Sequence, residues 1–293
     1  MLTLRLEIRD VLTIAIQKSG RLSESSLELL TACGLAVPSG GGKLKAQVAG
    51  FAAEIFFLRD DDIPQYVADG VAHLGIVGEN VVAEKGHPLD VLRPLGFGRC
   101  RLSLAVRKTV DYPGIHYFRG LRIATSYPRI LQAWLDANQL TADLHEISGS
   151  VEIAPALGLA DAIFDIVSSG STLLMNDLKE VVTVQQSQAV LVATPKLSGE
   201  AQALAHELLF RIEAVQRARQ TKYVLLNAPN DKLPEIIALL PGVKSPTLLP
   251  LAEPGWSSVH SVIEEASFWK VLSQLKAAGA QGILVIPLEK MVV

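Results

Sequence analysis

Cysteine is scarce in this sequence. Cys33 and Cys100 are the only two in 293 residues, with no CxxC pair and no histidine at ligand spacing. This excludes a disulfide framework and a thiolate zinc site, and leaves two reduced packing residues as the expectation. The histidines, His73, His87, His116, His145, His206 and His260, form no HxxxH or HExxH pattern, so neither a histidine metal site nor a histidine-activated nucleophile is indicated. GxSxG is missing around Ser168 to Ser171, against a serine hydrolase. Long apolar runs are also lacking, and none approaches bilayer length. The start, MLTLRLEIRDVLTIAIQKSG, carries Glu7 and Asp10 in its apolar stretch and has no small-residue cleavage site. The expectation is a cytoplasmic protein with no membrane partner. A net charge of -3 provides no basic stripe for a nucleic-acid backbone, so nucleic acid is excluded as a partner. A polyphosphate ligand would need local compensation or a metal.

What is present is apolar material, 49% of residues against 19% charged, enough for two or three packed domains. Short β-branched runs, LTIAI at 12–16, EIFFL at 54–58, HLGIV at 73–77, RIAT at 122–125 and AIFDIV at 162–167, alternate with amphipathic stretches, an α/β pattern. Ser23 to Cys33 reads as a helix with Leu27 and Leu30 on one face, stopped by Gly34. The SGGGK run at 39–43 is read as a turn without a catalytic role, because the GxxxxGK[ST] spacing of a P-loop is not met. From Ser198, Ala201, Leu204, Leu208, Ile212 and Val215 recur at helical spacing, giving a linker helix over 199–220. KYVLLNA, LPEIIALL, SPTLLPL, SSVHSVI, FWKVLSQLKAAG and GILVIPL then spell the βαββαβ order of a ferredoxin-like module over 221–293.

The chemistry concentrates in SVEIAPALGLADAIFDIVSSGSTL, residues 150–173. An apolar strand bearing carboxylates runs into a small-residue turn that opens a helix. Ser168, Ser169, Gly170, Ser171 and Thr172 can present backbone N–H groups and hydroxyls to a dianionic phosphate. Asp165 can accept from vicinal ribose hydroxyls, with Asp161 or Glu152 for a second hydroxyl or a metal-bound water. The plainer alternative is a solvated turn, with Thr172 or Ser171 as a helix cap and Asp161 as a surface charge. Lys18 and Arg21, in the loop containing Gly20, suit phosphate oxygens at strand ends or form a solvated loop. Arg59, Asp60, Asp61 and Asp62 before Pro64 read as a helix start, with Arg59 or an acid in reach of a nucleotide or its magnesium. Gly78, Glu79 and Asn80 follow a buried-looking strand and suit ligand contact, or a turn and a cap. Thr125 and Ser126 are phosphate donors or a cap before Pro128, and Tyr127 offers a face to a base. Arg101 is placed across a cleft from a phosphate, or on the surface.

The pattern from Glu152 through Gly158, Asp161, Asp165, Ser169, Gly170 and Thr172 to Leu173 resembles the signature of the ATP phosphoribosyltransferase family. QKSGRL, RDDDIP, LGIVGENV, CRLSLA and ATSYP resemble further family segments in the family's order. SPTLLPL and LKAAGAQGILVIPLEKM resemble the regulatory domain of its long form. The stretch between Asn80 and Leu95 is shorter than in some members, a surface-loop difference.

The resemblance implies a two-lobed α/β catalytic region like a periplasmic solute-binding protein, followed by an ACT-like regulatory domain. The lobes are drawn at 1–100 with 185–198, and at 101–184. It further implies transfer of the phosphoribosyl group from phosphoribosyl pyrophosphate to N1 of the adenine of ATP, with magnesium, as the first step of histidine biosynthesis. Asp161, Asp165 and Glu152 are assigned to the ribose, and Ser168 to Thr172 to the 5-phosphate. Gln17, Lys18, Gly20, Arg21, Arg59, Glu79, Arg101, Thr125, Ser126 and Tyr127 are assigned to remaining phosphates and adenine. Histidine is the expected inhibitor, near Ser245, Thr247, Gly279 and Ala280, in a homo-oligomer of dimers and hexamers. No set of protein ligands for a metal is assigned. The alternative is a two-lobed binding or sensing protein without turnover.

Overall fold

A computed structural model describes residues 11–38 and 44–293. The readings made on the first ten residues and on the SGGGK run at 39–43 lie outside the described residues. Two compact units divide the chain. The first runs to Ala205 apart from Leu29–Gly34, which belong with the second, His206–Val293.

The first unit holds two sheets. Continuous apolar composition buries β1 (Leu12–Gln17) between parallel neighbours, and α1 (Arg21–Ala32) follows, with Gly34 at φ +85° just past its end. Next come β2 (Lys45–Gln47), β3 (Ala53–Leu58), α2 (Ile63–Ala68), β4 (Leu74–Gly78), α3 (Glu79–Lys85) and β5 (Asp90–Pro94). The acids Asp60–Asp62 form a 3-10 turn, and Pro64 sits in the first turn of α2, where its missing N–H costs nothing.

The chain then enters a second sheet through β6 (Cys100–Arg107), β7 (Arg122–Thr125), α4 (Pro128–Ala137), β8 (Asp143–Glu146), β9 (Ala162–Val167), α5 (Ser171–Met175) and β10 (Leu178–Ser187). It returns through β11 (Ala189–Ala193). The sheet orders are β2-β3-β1-β4-β11-β5 and β10-β6-β9-β7-β8. In the first, β3, β1 and β4 are mutually parallel and β11 is antiparallel. In the second, β8, β7 and β9 are parallel, β6 runs against them, and β10, antiparallel to β6, shares their direction. Two lobes joined by two crossings, with the return strand antiparallel inside the first sheet, make the architecture of periplasmic solute-binding proteins. The crossings are tied by Leu95 N to Ala189 O at 2.8 Å and Ala189 N to Phe97 O at 2.9 Å.

The second unit takes most of α6 (Gly199–Gln220), whose Leu208, Ile212 and Val215 are buried. β12 (Thr221–Pro229), α7 (Leu233–Leu239), β13 (Thr247–Pro250), β14 (Trp256–Glu264), α8 (Glu265–Ala277) and β15 (Gln281–Pro287) follow. Its antiparallel sheet, ordered β13-β14-β12-β15, is ferredoxin-like. Val224, Leu226, Val259, Phe268 and Leu275 form its core. Among the described residues no helix is long and apolar enough to cross a membrane.

Strand β9 is buried on both faces, with Ala162 and Phe164 in one core and Ile163 and Val167 in the other. Phe164→Ala is expected to destabilise the first unit by about 3–5 kcal/mol, the range for truncating a fully buried aromatic. Urea unfolding of the full chain checks this, and a loss below about 1 kcal/mol would place the strand outside the cooperative core.

Candidate active site

Parallel strands deliver their following residues to one edge of a sheet, and in open α/β sheets ligands bind beyond the carboxyl ends. Here β9 ends at Val167 and leads directly into Ser168, Ser169 and Gly170, after which α5 begins. Gly170 sits at φ +80°, a left-handed conformation that glycine adopts without a Cβ penalty. The resulting cup, Ser168–Leu173, lines a cavity of about 260 Å³ together with Asp165, Glu152 and Arg21. Arg21 comes from the first residue of α1 and the remaining groups from the second lobe, so the cavity lies in the cleft between them. Glu152 is carried by a 3-10 turn, Val151–Ile153, whose preceding Ser150 is left-handed at φ 52°, a costly backbone state that clusters at ligand sites. Within the cup, the Ser169 and Ser171 hydroxyls lie 2.9 Å apart.

Asp165 is half-buried. Removal from water pushes its carboxyl up to about 6, the neighbouring charge of Glu152 adds to this, and the Ile166 N–H at 2.8 Å works against it.

Tyr127 follows the end of β7 and lines a second cavity of about 260 Å³ with Asp61, Lys85, Ser126, Glu146 and Ser148. Burial raises its phenol, and the charges of Asp165, Asp60 and Asp61 raise it further. The Tyr127 hydroxyl accepts from Asn80 Nδ2 at 3.3 Å, and buried Ser187 Oγ donates to Asn80 Oδ1 at 2.9 Å. Across the same interface, the Glu84 carboxylate accepts the Arg129 and Ile130 N–H groups at 2.9 and 3.0 Å. It thereby caps α4 from the other lobe.

Several sequence expectations are corrected. Asp161 does not join Asp165. It lies at the opposite end of β9, about 13 Å away at roughly 3.3 Å per strand residue, where Arg122 holds it through Nη2 at 2.8 Å, Nε at 3.2 Å and the backbone N–H at 3.0 Å. That pairing lowers its pKa and makes it a strand anchor. Thr125 is fully buried, and its Oγ1 accepts the Tyr127 N–H at 2.8 Å. Ser126 Oγ donates to Ile147 O at 2.6 Å. Neither hydroxyl caps α4, since Glu84 does so. Arg101 lines neither cavity but is paired with Glu180. Neither Ser171 nor Thr172 caps α5 through its side chain.

Gln17, Lys18, Gly20, Arg59 and Glu79 also line neither cavity, although all follow or end strands of the first sheet. In the second unit, exposed Thr247 lies on edge strand β13, and Gly279 and Ala280 precede the opposite edge, β15. Three strand spacings, about 14 Å, separate the two edges, so one chain does not close both loops on one small ligand. Sequence reasoning missed Glu180, Glu84 and Ser187, whose partners are 79, 45 and 107 positions away. No local pattern signals such pairs.

The ATP phosphoribosyltransferase family model matches residues 59–214, and that of the "HisG, C-terminal domain" matches residues 218–290. An ATP phosphoribosyltransferase of Cytophaga hutchinsonii is 58% identical over 282 residues, covering 96% of this chain and 99% of the relative. One from Phocaeicola vulgatus is 55% identical, covering 96% and 100%. A solved ATP phosphoribosyl transferase (HisG:HisZ) complex from Thermotoga maritima aligns with a TM-score of 0.59 at 28% identity, covering 69% of this chain and 99% of that one.

The raised Asp165 pKa has a measurable consequence for stability. Because the folded value of about 6 exceeds the unfolded value of 3.8, the native state holds the proton more tightly. Stability from this residue is full below about pH 4 and is lost as pH rises through about 6. Asp165→Asn is therefore expected to be more stable than the parent by about 1–3 kcal/mol at pH 8, with the gap closing by pH 4. Urea midpoints across that range check the sign, and a less stable Asp165→Asn protein at pH 8 would refute it.

Proposed function

The chain belongs to the ATP phosphoribosyltransferase family, and from that premise we propose that it joins ATP to phosphoribosyl pyrophosphate in the first step of histidine biosynthesis. N1 of the adenine forms a bond to C1 of the ribose as the C1–O bond to pyrophosphate breaks, with inversion, giving phosphoribosyl-ATP and pyrophosphate. The observation that carries this reading is the convergence of Arg21, Glu152, Asp165 and Ser168–Thr172 on one cavity.

The cup takes the 5-phosphate through hydroxyls and backbone N–H groups. Asp165 and Glu152 accept from the ribose hydroxyls, which orients C1 and places negative charge near a centre that becomes positive as pyrophosphate leaves. Arg21 offsets charge on the phosphates. The adenine nucleotide occupies the second cavity, beside Tyr127. Little covalent work falls to the protein, so alignment of N1 with C1 supplies much of the acceleration.

Magnesium fits as an ion that travels with the polyphosphates. Among the described residues no group of three or more His, Cys, Asp or Glu gathers to hold an ion by itself, whereas Asp165 and Glu152 are available to its water shell. When bound, it neutralises the departing pyrophosphate.

The second unit is proposed as the histidine-responsive regulatory domain, with Ser245 and Thr247 or Gly279 and Ala280 as alternative contact loops. Exposed Leu248, Leu249, Leu284 and Ile286 on its edge strands suit assembly into a homo-oligomer of dimers and hexamers.

Mixing the protein with ATP, phosphoribosyl pyrophosphate, magnesium and a pyrophosphatase should yield phosphoribosyl-ATP, followed by its ultraviolet absorbance. Absence of product from folded protein that binds both substrates would favour a binding role. Histidine titrated into the full chain should suppress the rate, and an unchanged rate at millimolar histidine would remove feedback from this reading. Asp165→Ala should lower kcat/KM for phosphoribosyl pyrophosphate by the equivalent of about 1.5–3 kcal/mol, the range for a charge-assisted hydrogen bond. Unaltered kinetics would take Asp165 out of the site.

A further inference from the structure

Arg101 stands on β6 beside Val167, the last residue of β9. Its Nη1 donates to Ser168 O at 3.0 Å, the carbonyl of the first residue of the cup. The other edge of the guanidinium is taken by Glu180, with Nε to Oε1 at 2.6 Å and Nη2 on Oε2. Glu180 is itself fixed: buried Ser103 Oγ donates to it at 2.8 Å and Thr183 Oγ1 at 3.0 Å. Register shifts between Glu180 and Val182, and between Thr183 and Gln185, interrupt the β10–β6 ladder directly after the residue that bears this carboxylate. Bulges of this kind re-aim side chains and recur beside active sites.

We propose that Arg101 and Glu180 are positioning residues for the transfer reaction, acting through the Ser168 carbonyl, and that Arg101 is not itself a ligand of the sugar phosphate. The inference rests on the reading of Ser168–Thr172 as the 5-phosphate site. Across a planar trans peptide the C=O and the following N–H point in opposite directions. Holding Ser168 O on Arg101 therefore turns the Ser169 N–H away from Arg101, and the cavity is lined by Ser168 and Ser169 but not by Arg101. Arg101 hydrogen bonding, aided by Ser103 and Thr183, holds the Glu180 carboxyl down at about 2, so the pair stays charged throughout the working pH range. Arginine is required because one planar fork must serve a carboxylate and a carbonyl at once, which a lysine ammonium does not reproduce.

The two roles for Arg101 predict opposite signs. If Arg101 were a phosphate ligand restrained by Glu180, Glu180→Gln would free the cation, and binding would tighten or stay level. As a positioning pair, Glu180→Gln loosens the cup. Calorimetry with ribose 5-phosphate and steady-state kinetics on the full-length enzyme separate them. Expected for Glu180→Gln are about tenfold weaker ribose 5-phosphate binding and a KM for phosphoribosyl pyrophosphate raised about as much. The KM for ATP should stay within about twofold, a split that general loosening of the fold does not give. Arg101→Lys should lose as much as Arg101→Ala, whereas a point-charge ligand would be largely rescued. Should Glu180→Gln fail to fold, Thr183→Val, which removes one hydrogen bond to the carboxylate, should show a smaller shift of the same sign at an unchanged thermal midpoint. Tighter or unaltered binding in Glu180→Gln, equal shifts in both KM values, or rescue by Arg101→Lys overturns the positioning role. If the parent enzyme binds no ribose 5-phosphate, the 5-phosphate reading falls first, and this inference with it.

Discussion

Strand β9 is buried on both faces, and that burial dictates where its one ionisable residue, Asp165, can lie. Four apolar side chains lock the strand into two cores, and the Asp161–Arg122 ion pair ties its entry to β7. With its entry and middle held, the last turn of the strand must present Asp165 beside Glu152 at the mouth of the cup, whether or not solvation favours it there. The carboxyl pKa near 6 is the energetic trace of that constraint. A carboxylate kept where water would solvate it better is ready to exchange poor solvation for ligand hydrogen bonds, and proteins commonly give up stability at sites of this kind.

The other groups obey the same rule from different strands. Gln17 ends β1 just ahead of Arg21, Leu58 ends β3 ahead of Asp61, and Gly78 ends β4 ahead of Asn80. Thr125 ends β7 ahead of Tyr127. Two sheets with their carboxyl edges turned to one cleft bring residues far apart in sequence within hydrogen-bonding reach. The Asn80–Tyr127 contact and the Glu84 cap on α4 then set the lobe spacing at which both cavities exist. Thr125 contributes by shaping the turn that aims Tyr127, an indirect service unlike the phosphate contact its sequence position suggests, while Ser126 lines the second cavity with its hydroxyl donated to Ile147 O.

The sequence disclosed β1, β4 and β9, because they are runs of apolar residues that few other structures accept, but not the fully buried β11. It also disclosed the cup, where small hydroxylic residues and a glycine follow such a strand. The mixed-polarity strands β2, β5 and β10 escaped notice because they are short or half-exposed, so neither period nor composition marks them. Asp161 was misplaced for a geometric reason. Two carboxylates four positions apart look adjacent in a motif, yet in an extended strand they stand at opposite ends. Glu180 was invisible because its meaning depends on bulges in an antiparallel pairing with β6, and register between strands so distant in sequence is set by packing. The proposed effector loops, similar in kind, belong to opposite edges of one sheet, and linear order does not reveal this.

Charge around the cup limits which anions it can accept. Glu152 and Asp165 face one guanidinium, that of Arg21, while the second nearby guanidinium, Arg101, is already neutralised by Glu180. A bare polyanion approaching this cavity meets little net positive charge, and above about pH 6 the second carboxylate adds to the opposition. Desolvation in the cleft strengthens both attraction and repulsion. Under the proposed function, such a site would disfavour a free pyrophosphate ester relative to one carrying its own divalent cation, whose charge the two carboxylates would offset.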